Sequence, residues 1–367
     1  MQLAFILYSP PFGEAFRYFV LFDKTMFPLF SILNRGKKSI SLNLRKDEAK
    51  QIFIKLVEKS DVLVENFVKG TMEKWGLGYE VLKKVNPRLI YCKISGYGNE
   101  GLERYTKKTA FDLIIQAESG ILDALDIKEG PPKLPIADYT AGHVAAIGIS
   151  QALYYREKTG KGQFIDVSML DLMFAINIRA QAKEFMPMAI KLDLGTKFLP
   201  IYNQYPTKDG LIAFTTITER QFANLCKKIL NKPELLDDPR FSNPIKRFYH
   251  IDELDAVIEN FMSTLTTKEA IEKLESVRIP CGKSLKMNEV HQHAQLKARE
   301  MLCDQFNFSK YDVDKATIPN RLIRFSETKG SVDTIGPEFG ADNTEIFCNL
   351  LEYSNEDLKR WKKQKLI

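Results

Sequence analysis

The sequence predicts an α/β protein with a largely parallel sheet, because strand-like and helix-like patterns alternate between Lys38 and Val167. Hydrophobic residues make up 44% of the chain and charged residues 27%, which is typical of a soluble globular protein and excludes collagen-like and disordered classes. A length of 367 residues is enough for two domains.

The predicted elements of this region form successive βα steps. The apolar faces of the helices recur with a helical period, as in the segment 46–59, and each strand is a short apolar run. We predict strands at 39–44, 61–65, 88–95 and 163–167, and helices at 46–59, 71–75, 79–85, 111–117 and 169–186. A further helix, 142–155, is apolar nearly all round and begins near Ala141, which predicts a helix buried within the domain.

The pattern of predicted elements and charges changes after Lys191. A hairpin is predicted from strands at 201–205 and 211–216, and dense charges follow, which indicates a second, smaller domain. At the other end of the chain, the apolar stretches 1–13 and 25–34 are each too short to span a bilayer, so we expect a short strand and a loop and neither a membrane span nor a signal peptide.

Charge and cysteine content narrow the class of protein further. The 53 basic and 47 acidic side chains give a net charge of +6, which suits a polyanionic small molecule as readily as a nucleic acid. Five cysteines without a C-x-x-C pair indicate a reducing compartment, and therefore the cytoplasm.

Several chemical motifs are absent from the sequence. It has no P-loop, no G-x-G-x-x-G, no H-E-x-x-H and no G-x-S-x-G, which argues against the corresponding ATPases, zinc proteases and esterases. Four scattered histidines do not predict a metal site, and we expect His291 and His293 to be solvated surface residues.

Asp138 is the first candidate for chemistry, because it follows an extended run and stands just before the predicted buried helix. It can be a plain N-cap that satisfies free backbone N–H groups. The functional alternative is a carboxylate nucleophile oriented by the same N–H groups. Asp166 and Asp171, near the start of the next helix, are interpreted as structural.

Basic residues near the predicted strand ends are the second candidate. Ligands of open α/β sheets bind beyond the carboxyl ends of the strands, so Arg45, Asn66, Phe67 and Lys74 can line one crevice suited to phosphates. A solvated charged surface is the alternative interpretation.

Eight short segments resemble, in sequence and in order along the chain, the family III CoA-transferases. This family includes formyl-CoA and carnitine CoA-transferases and the alpha-methylacyl-CoA racemases. The resemblance extends from about Ser9 to the C-terminus. The eight segments are Asn34–Leu44 (NRGKKSISLNL), Asp61–Phe67 (DVLVENF), Gly76–Glu80 (GLGYE), Asn86–Gly98 (NPRLIYCKISGYG), Ala110–Gly120 (AFDLIIQAESG), Ile136–Gly142 (IADYTAG), Thr159–Met169 (TGKGQFIDVSM) and Tyr205–Gly210 (YPTKDG).

The resemblance implies a Rossmann-like large domain, a smaller α+β domain and an interlocked homodimer. It implies residues 1–190 as the large CoA-binding domain, 200–300 as the small domain, and 301–367 as a return to the large domain that ends in a helix. It also implies that Asp138 attacks an acyl-CoA thioester to give an acyl-aspartyl anhydride. The implied coenzyme A contacts are Leu42, Asn43, Leu44, Arg45, Asn66, Phe67, Val68, Lys74, Thr109, Ala110, Phe111 and Asp112.

Three departures from the family pattern bear on the reaction. Lys74 stands where the family's transferases have arginine, so it binds phosphate as a point charge without a bidentate fork. Phe111 stands where the racemase branch has a histidine base, and phenylalanine cannot move a proton, which favours transfer over racemisation. In the family, an opening strand and helix precede a segment similar to Tyr8–Gly13, and this sequence lacks them before that segment.

The sequence therefore predicts a CoA-transferase that moves coenzyme A from an acyl-CoA donor to a carboxylic acid acceptor, with no metal, no nucleic acid and no membrane as partner. An acyl-CoA racemase is the alternative within the family. A catalytically impaired, N-terminally truncated member that only binds coenzyme A or oligomerises is the alternative from another class.

Overall fold

The structure, a computed structural model, describes residues 4–10, 28–178, 181, 199–308, 313–328, 330 and 335–367. The chain divides into two compact units. The first consists of Met1–Ile121, Gly130–Ile176 and His291–Ile367, and the second of Leu122–Glu129 and Asn177–Val290. Each unit is described by itself.

The described residues form strands and α-helices in both units. In the first unit, the two kinds of element alternate through most of the chain, as the sequence predicts. In chain order they are β1 (Phe5–Tyr8), α1 (Pro28–Leu33), β2 (Lys38–Ser41), α2 (Asp47–Glu58), β3 (Val62–Glu65), α3 (Thr71–Lys74), α4 (Tyr79–Val85), β4 (Ile90–Ser95), α5 (Glu103–Thr106), α6 (Asp112–Glu118), α7 (Ile121–Ala124), α8 (Ile136–Thr159), β5 (Phe164–Ser168), α9 (Met169–Ile176), β6 (Tyr202–Thr207), β7 (Gly210–Thr215), α10 (Glu219–Asn224), α11 (Pro244–Tyr249), α12 (Ile251–Met262), α13 (Thr267–Ser276), β8 (Cys281–Lys283), α14 (Met287–Val290), α15 (Ala294–Ala298), β9 (Leu302–Phe308), β10 (Val313–Pro319) and α16 (Asn355–Lys363).

A parallel sheet of β3, β4 and β5 lies at the centre of the first unit, with β4 in the middle. The side chains of successive residues of β4 point to opposite faces, so Tyr91 packs in one hydrophobic core and Cys92 in another. A sheet covered on both faces by apolar groups is what near-continuous apolar strands predict. β1 and β2 form a separate parallel pair.

The core on the Tyr91 face is closed by the end of the chain. Trp361 of α16 packs edge-on against Phe347 and Tyr353, and its indole N–H donates to Glu48 of α2 at 2.7 Å. Such an aromatic cluster buries a large apolar area, so α16 is firmly tied to the first unit.

The core on the Cys92 face is formed with α8. Gly148 of α8 lies against Ile165 of β5, where an added Cβ would be 3.3 Å from the Ile165 side chain. Arg156, near the end of α8, donates to the backbone carbonyls of Asp61 and Arg88, which precede β3 and β4. The end of α8 is therefore fixed at the amino edge of the sheet.

The structure corrects the sequence prediction for α8. The helix begins at Ile136 instead of near Ala141, and it is buried along one side only, with Ile147 and Tyr154 57% and 68% exposed. An apolar composition all round signals burial, but in this unit only the alanine-rich side of the helix meets the sheet. The predicted continuation of α9 to Met186 lies almost entirely outside the described residues.

The second unit contains an antiparallel sheet of β6, β7 and β8 packed with helices. β6 and β7 form the predicted hairpin, with a tighter turn at Lys208-Asp209 than the sequence predicts, and the short strand β8 was not predicted. Thr218 and Thr266 begin α10 and α13 with capping boxes. None of the helices described is both long enough and apolar enough to cross a bilayer.

Candidate active site

Asp138 lies in the first turn of α8, near the carboxyl edge of the central sheet. The end of α8 is fixed at the amino edge through Arg156, and Gly162, just beyond the helix, donates its N–H to Pro87 at 2.9 Å. The 24 residues of α8 extend about 36 Å, which is longer than any strand of the sheet. The start of α8 therefore reaches the edge where ligands of α/β sheets bind.

The start of α8 is capped by a residue from another helix. Asp112, the first residue of α6, accepts the backbone N–H groups of Ala137 at 2.9 Å and of Asp138 at 3.2 Å through one carboxylate oxygen. Pro135, at the N-cap position, makes no side-chain cap. The prediction that Asp138 is itself an N-cap is wrong, because Asp112 already satisfies these donors and the helix begins two residues earlier.

The Asp138 carboxylate is therefore left available for chemistry. Among the described residues, none donates a hydrogen bond to it, and the residue is exposed on one side. Partial burial raises the pKa of Asp138, and the negative charge of Asp112 raises it further. A carboxylate that lacks hydrogen-bond donors from the protein is a better nucleophile than one that such donors stabilise.

Gln116 holds Asp112 in place and was not among the predicted site residues. Its amide nitrogen donates to the second carboxylate oxygen of Asp112 at 2.5 Å and to the carbonyl of Leu134 at 2.9 Å, and the side chain is fully buried. The spacing of four residues between Asp112 and Gln116 on a predicted helix is the signal that could have identified this pair.

The segment before α6 is brought to the same edge by a close approach of two backbones. A Cβ added to Gly96, which follows β4, would lie 2.3 Å from the Cβ of Ala110, so only glycine fits there. Thr109 and Phe111 flank this contact and are exposed, Phe111 by 73%. Asp112 thus contacts the backbone of Asp138, and the predicted residues 109–111 directly precede Asp112 in the chain.

The other predicted coenzyme A contacts are associated with the Tyr91 face. Leu42 and Leu44 are buried in that core, so only their backbone is available to a ligand. Asn43 donates its backbone N–H to the carbonyl of Leu366 at 2.8 Å, and Arg45 is exposed. Around 42–45, the structure therefore offers a ligand the backbone of Leu42 and Leu44 and the side chain of Arg45.

The loop after β3 carries three predicted contacts, Asn66, Phe67 and Val68, and all three are exposed. The Phe67 ring packs edge-on against Trp75 at 5.3 Å, one residue beyond Lys74, which is also exposed. Exposed apolar side chains next to a lysine suit a ligand that has both hydrocarbon and phosphate parts.

Three other predictions can be compared with the structure. Asp166 lies within β5, where the strand predicted at 163–167 places it, and it accepts the backbone N–H of Asn99. His291 and His293 are exposed, as predicted. All five cysteines are free, and burial raises the pKa of the central Cys92 thiol to about 11, so this thiol stays protonated at neutral pH. In the described part of the chain, no group of three or more metal-ligating side chains was found.

Comparison with known proteins identifies the class. Residues 6–343 of the chain match CoA-transferase family III. The beta subunit of succinyl-CoA–L-malate CoA-transferase from Chloroflexus aurantiacus is 30% identical over 343 residues, which cover 91% of this chain and 83% of the relative. Acetyl-CoA:oxalate CoA-transferase from Acetobacter aceti is 36% identical over 280 residues, or 74% of this chain and 71% of the relative.

Solved structures show the same mixed α/β fold. A CAIB/BAIF family protein from Brucella suis superposes with a TM-score of 0.76 and 28% identity, over 95% of this chain and 92% of that chain. A Mycobacterium tuberculosis protein gives a TM-score of 0.80 with 25% identity, over 94% and 90%. The chain belongs to CoA-transferase family III, and it is a transferase.

Proposed function

We propose that this enzyme moves coenzyme A from an acyl-CoA donor to a carboxylic acid, with Asp138 as the nucleophile. The observation that carries the proposal is the position of the Asp138 carboxylate, which lies at the carboxyl edge of the sheet and receives no hydrogen bond from the described residues. Asp112 fixes the backbone of Asp138 without occupying its side chain.

In the proposed reaction, an Asp138 oxygen attacks the thioester carbon, the C–S bond breaks, and coenzyme A leaves as a thiolate. The product on the enzyme is an acyl-aspartyl anhydride. The thiolate then attacks the aspartyl carbonyl and releases the donor acid, which leaves an aspartyl-CoA thioester. The acceptor carboxylate attacks this thioester, its C–S bond breaks, and coenzyme A leaves again as a thiolate, which gives a second anhydride between the acceptor and Asp138. The thiolate then attacks the acceptor carbonyl of this anhydride, forms the acceptor acyl-CoA and releases the Asp138 carboxylate. Covalent catalysis of this kind divides one difficult exchange into easier steps.

The transfer reaction fits the residues beside Asp138 better than racemisation does. Racemisation needs a second acid/base group across the substrate α-carbon, and the hydrocarbon ring of Phe111 stands where the resemblance to racemases calls for that base.

The coenzyme A site proposed here uses the predicted contacts around 42–45 together with Lys74 and the loop after β3. Arg45 and Lys74 supply positive charge for phosphates, and the exposed apolar loop Asn66–Val68 supplies hydrocarbon contacts. We assign this site to a Rossmann-like large domain, which is the first unit, and the smaller domain to the second unit.

We further propose a homodimer of interlocked subunits in the cytoplasm. The exposed apolar side chains of α8, Ile147, Tyr154 and Tyr155, support a subunit interface, because monomers rarely leave such a stripe in water. The five free cysteines fit a reducing compartment.

The relatives suggest which acids to test. Their names include succinyl-CoA with L-malate, acetyl-CoA with oxalate, and succinyl-CoA with glutarate. All of these pairs contain a dicarboxylic acid. We therefore propose short dicarboxylates as acceptors, with succinyl-CoA and acetyl-CoA as donors.

The substitution Asp138→Asn tests the nucleophile. The amide keeps the size of the side chain but cannot attack, so transfer should fall by at least about a thousandfold. The melting temperature should not fall, because the raised pKa shows that the folded protein disfavours the ionised carboxylate.

The control is Asp171→Asn, the same change at an exposed position in the first turn of the next helix, which should leave transfer within about threefold of the wild type. Near-wild-type transfer by Asp138→Asn would remove Asp138 from the mechanism.

A further inference from the structure

Two opposite charges are buried side by side at the carboxyl edge of the central sheet, outside the residues assigned above. Glu65 ends β3 and Lys93 lies beside it on β4, and the two residues are register partners. Their side chains are 3% and 2% exposed, and the ammonium nitrogen lies 3.0 Å from the carboxylate. Buried charges are costly, so a pair that persists there is expected to have a specific role or further partners.

The Glu65 carboxylate has two further partners. One oxygen accepts the phenol of Tyr91 at 3.3 Å, and the other accepts the backbone N–H of Phe67 at 2.6 Å. The bond to Phe67 is short and charge-assisted, which makes it stronger than an ordinary backbone hydrogen bond. Glu65 therefore fixes the backbone of the loop that follows its own strand.

A second carboxylate holds the neighbouring loop in the same manner. Asp166, the register partner of Lys93 on β5, accepts the backbone N–H of Asn99 at 2.7 Å. Lys69 of the first loop donates to the Asn99 carbonyl at 2.5 Å, so the two loops are joined to each other. Glu65, Lys93 and Asp166 thus form a ladder of charges across three strands, and the loops after β3 and β4 are tied to its ends.

We infer that Glu65 is a positioning residue, which holds the Asn66–Val68 loop, through the Phe67 N–H, in the conformation that receives coenzyme A. Burial raises the pKa of the Glu65 carboxyl, and the ammonium group of Lys93 acts against that rise, so Lys93 reduces the cost of burying the carboxylate. This inference rests on the proposed function, because the loop is assigned there to coenzyme A.

Two double variants test the inference, Glu65→Gln/Lys93→Met and Glu65→Leu/Lys93→Met. Both remove the two buried charges, and they differ in whether residue 65 offers an oxygen to the Phe67 N–H. Calorimetric titration with coenzyme A should give a Kd within about threefold of the wild type for the glutamine form and at least about tenfold higher for the leucine form. The KM for acyl-CoA should follow the Kd, while kcat changes by less than about threefold.

A purely structural role predicts a different result. Both double variants would then lower the melting temperature while binding coenzyme A as the wild type does, and equal Kd values would overturn the inference. A wild-type protein that does not bind coenzyme A would refute the proposed function as well, so the two failures are distinguishable.

Hydrogen exchange on the unaltered enzyme keeps the test independent of how the variants fold. The amide of Phe67 should exchange at least about a hundredfold more slowly than an unprotected amide. Exchange of that amide at the unprotected rate would overturn the inference.

Discussion

At the scale of single residues, the site depends on how two carboxylates share the start of one helix. The Asp112 carboxylate accepts hydrogen bonds from backbone N–H groups of α8 and from the Gln116 amide. In contrast, none of the described residues donates a hydrogen bond to the Asp138 side chain. Burial raises the pKa of Asp138, and the nearby negative charge of Asp112 raises it further. Asp112 thus holds the backbone of the proposed nucleophile in place and also makes the ionised form of its carboxylate less stable.

The pH dependence of transfer tests this relation. Asp138 must be ionised to attack, so kcat/KM should fall as the pH drops through its raised pKa. Asp112→Asn removes the like charge, so the pKa of Asp138 should decrease and the acidic limb of the profile should move to lower pH. Part of the elevation should remain, because burial is its larger cause.

The measurement is kcat/KM across the acidic range for the wild type, Asp112→Asn and, as the control, Asp171→Asn, which should not move the limb. An acidic limb that stays in place or moves to higher pH in Asp112→Asn would show that Asp112 does not act on the charge of Asp138.

At the scale of elements, the contact between Gly96 and Ala110 joins β4 to α6. The start of α6 carries Asp112, so this contact positions the residue that caps α8. Ala110 is short and belongs to a packed core, so it cannot move aside as a long flexible side chain would.

Gly96→Ala should therefore destabilise the fold by about 1 to 3 kcal/mol, because the added Cβ overlaps Ala110. It should also lower kcat, since Asp112 would shift. Urea unfolding and steady-state kinetics measure the two effects. In the control, Gly282→Ala, the new Cβ meets nothing within 4 Å, and the change should stay below about 1 kcal/mol. Equal midpoints for the two variants would contradict the assigned contact.

The elements were largely predictable from the sequence, whereas the relations between them were not. The alternation from β2 to β5 follows from the apolar period, and all four strands appear where the pattern predicts them. The start of α8 was misplaced because its cap, Asp112, comes from another helix. Asp138 was proposed from the segment Ile136–Gly142, but Glu65 and Lys93 were passed over because each is a single charge in an apolar strand, and only the register pairs them.

At the scale of the whole molecule, the proposed dimer accounts for the apolar residues that α8 leaves exposed. Sedimentation equilibrium should give twice the chain mass of 42.1 kDa, and dilution should not release folded monomers, because interlocked chains separate only by unfolding.

Two substitutions on exposed isoleucines locate the interface. Ile147→Glu on α8 should weaken the dimer, whereas Ile217→Glu in the second unit, at an even more exposed apolar position, serves as the control and should leave it intact. A stable folded monomer of the wild type would refute the interlocked assembly.

The covalent step at Asp138 is tested most directly by isotope transfer from the acceptor. With an acceptor acid labelled with heavy oxygen in its carboxylate, each turnover should leave one labelled oxygen on Asp138, because the acceptor oxygen that bridges the anhydride stays on the aspartate when the thiolate takes the acyl group. Mass spectrometry of the peptide containing Asp138 should show the label, and Asp138→Asn should abolish it. Turnover that leaves the Asp138 peptide unlabelled would contradict the anhydride mechanism.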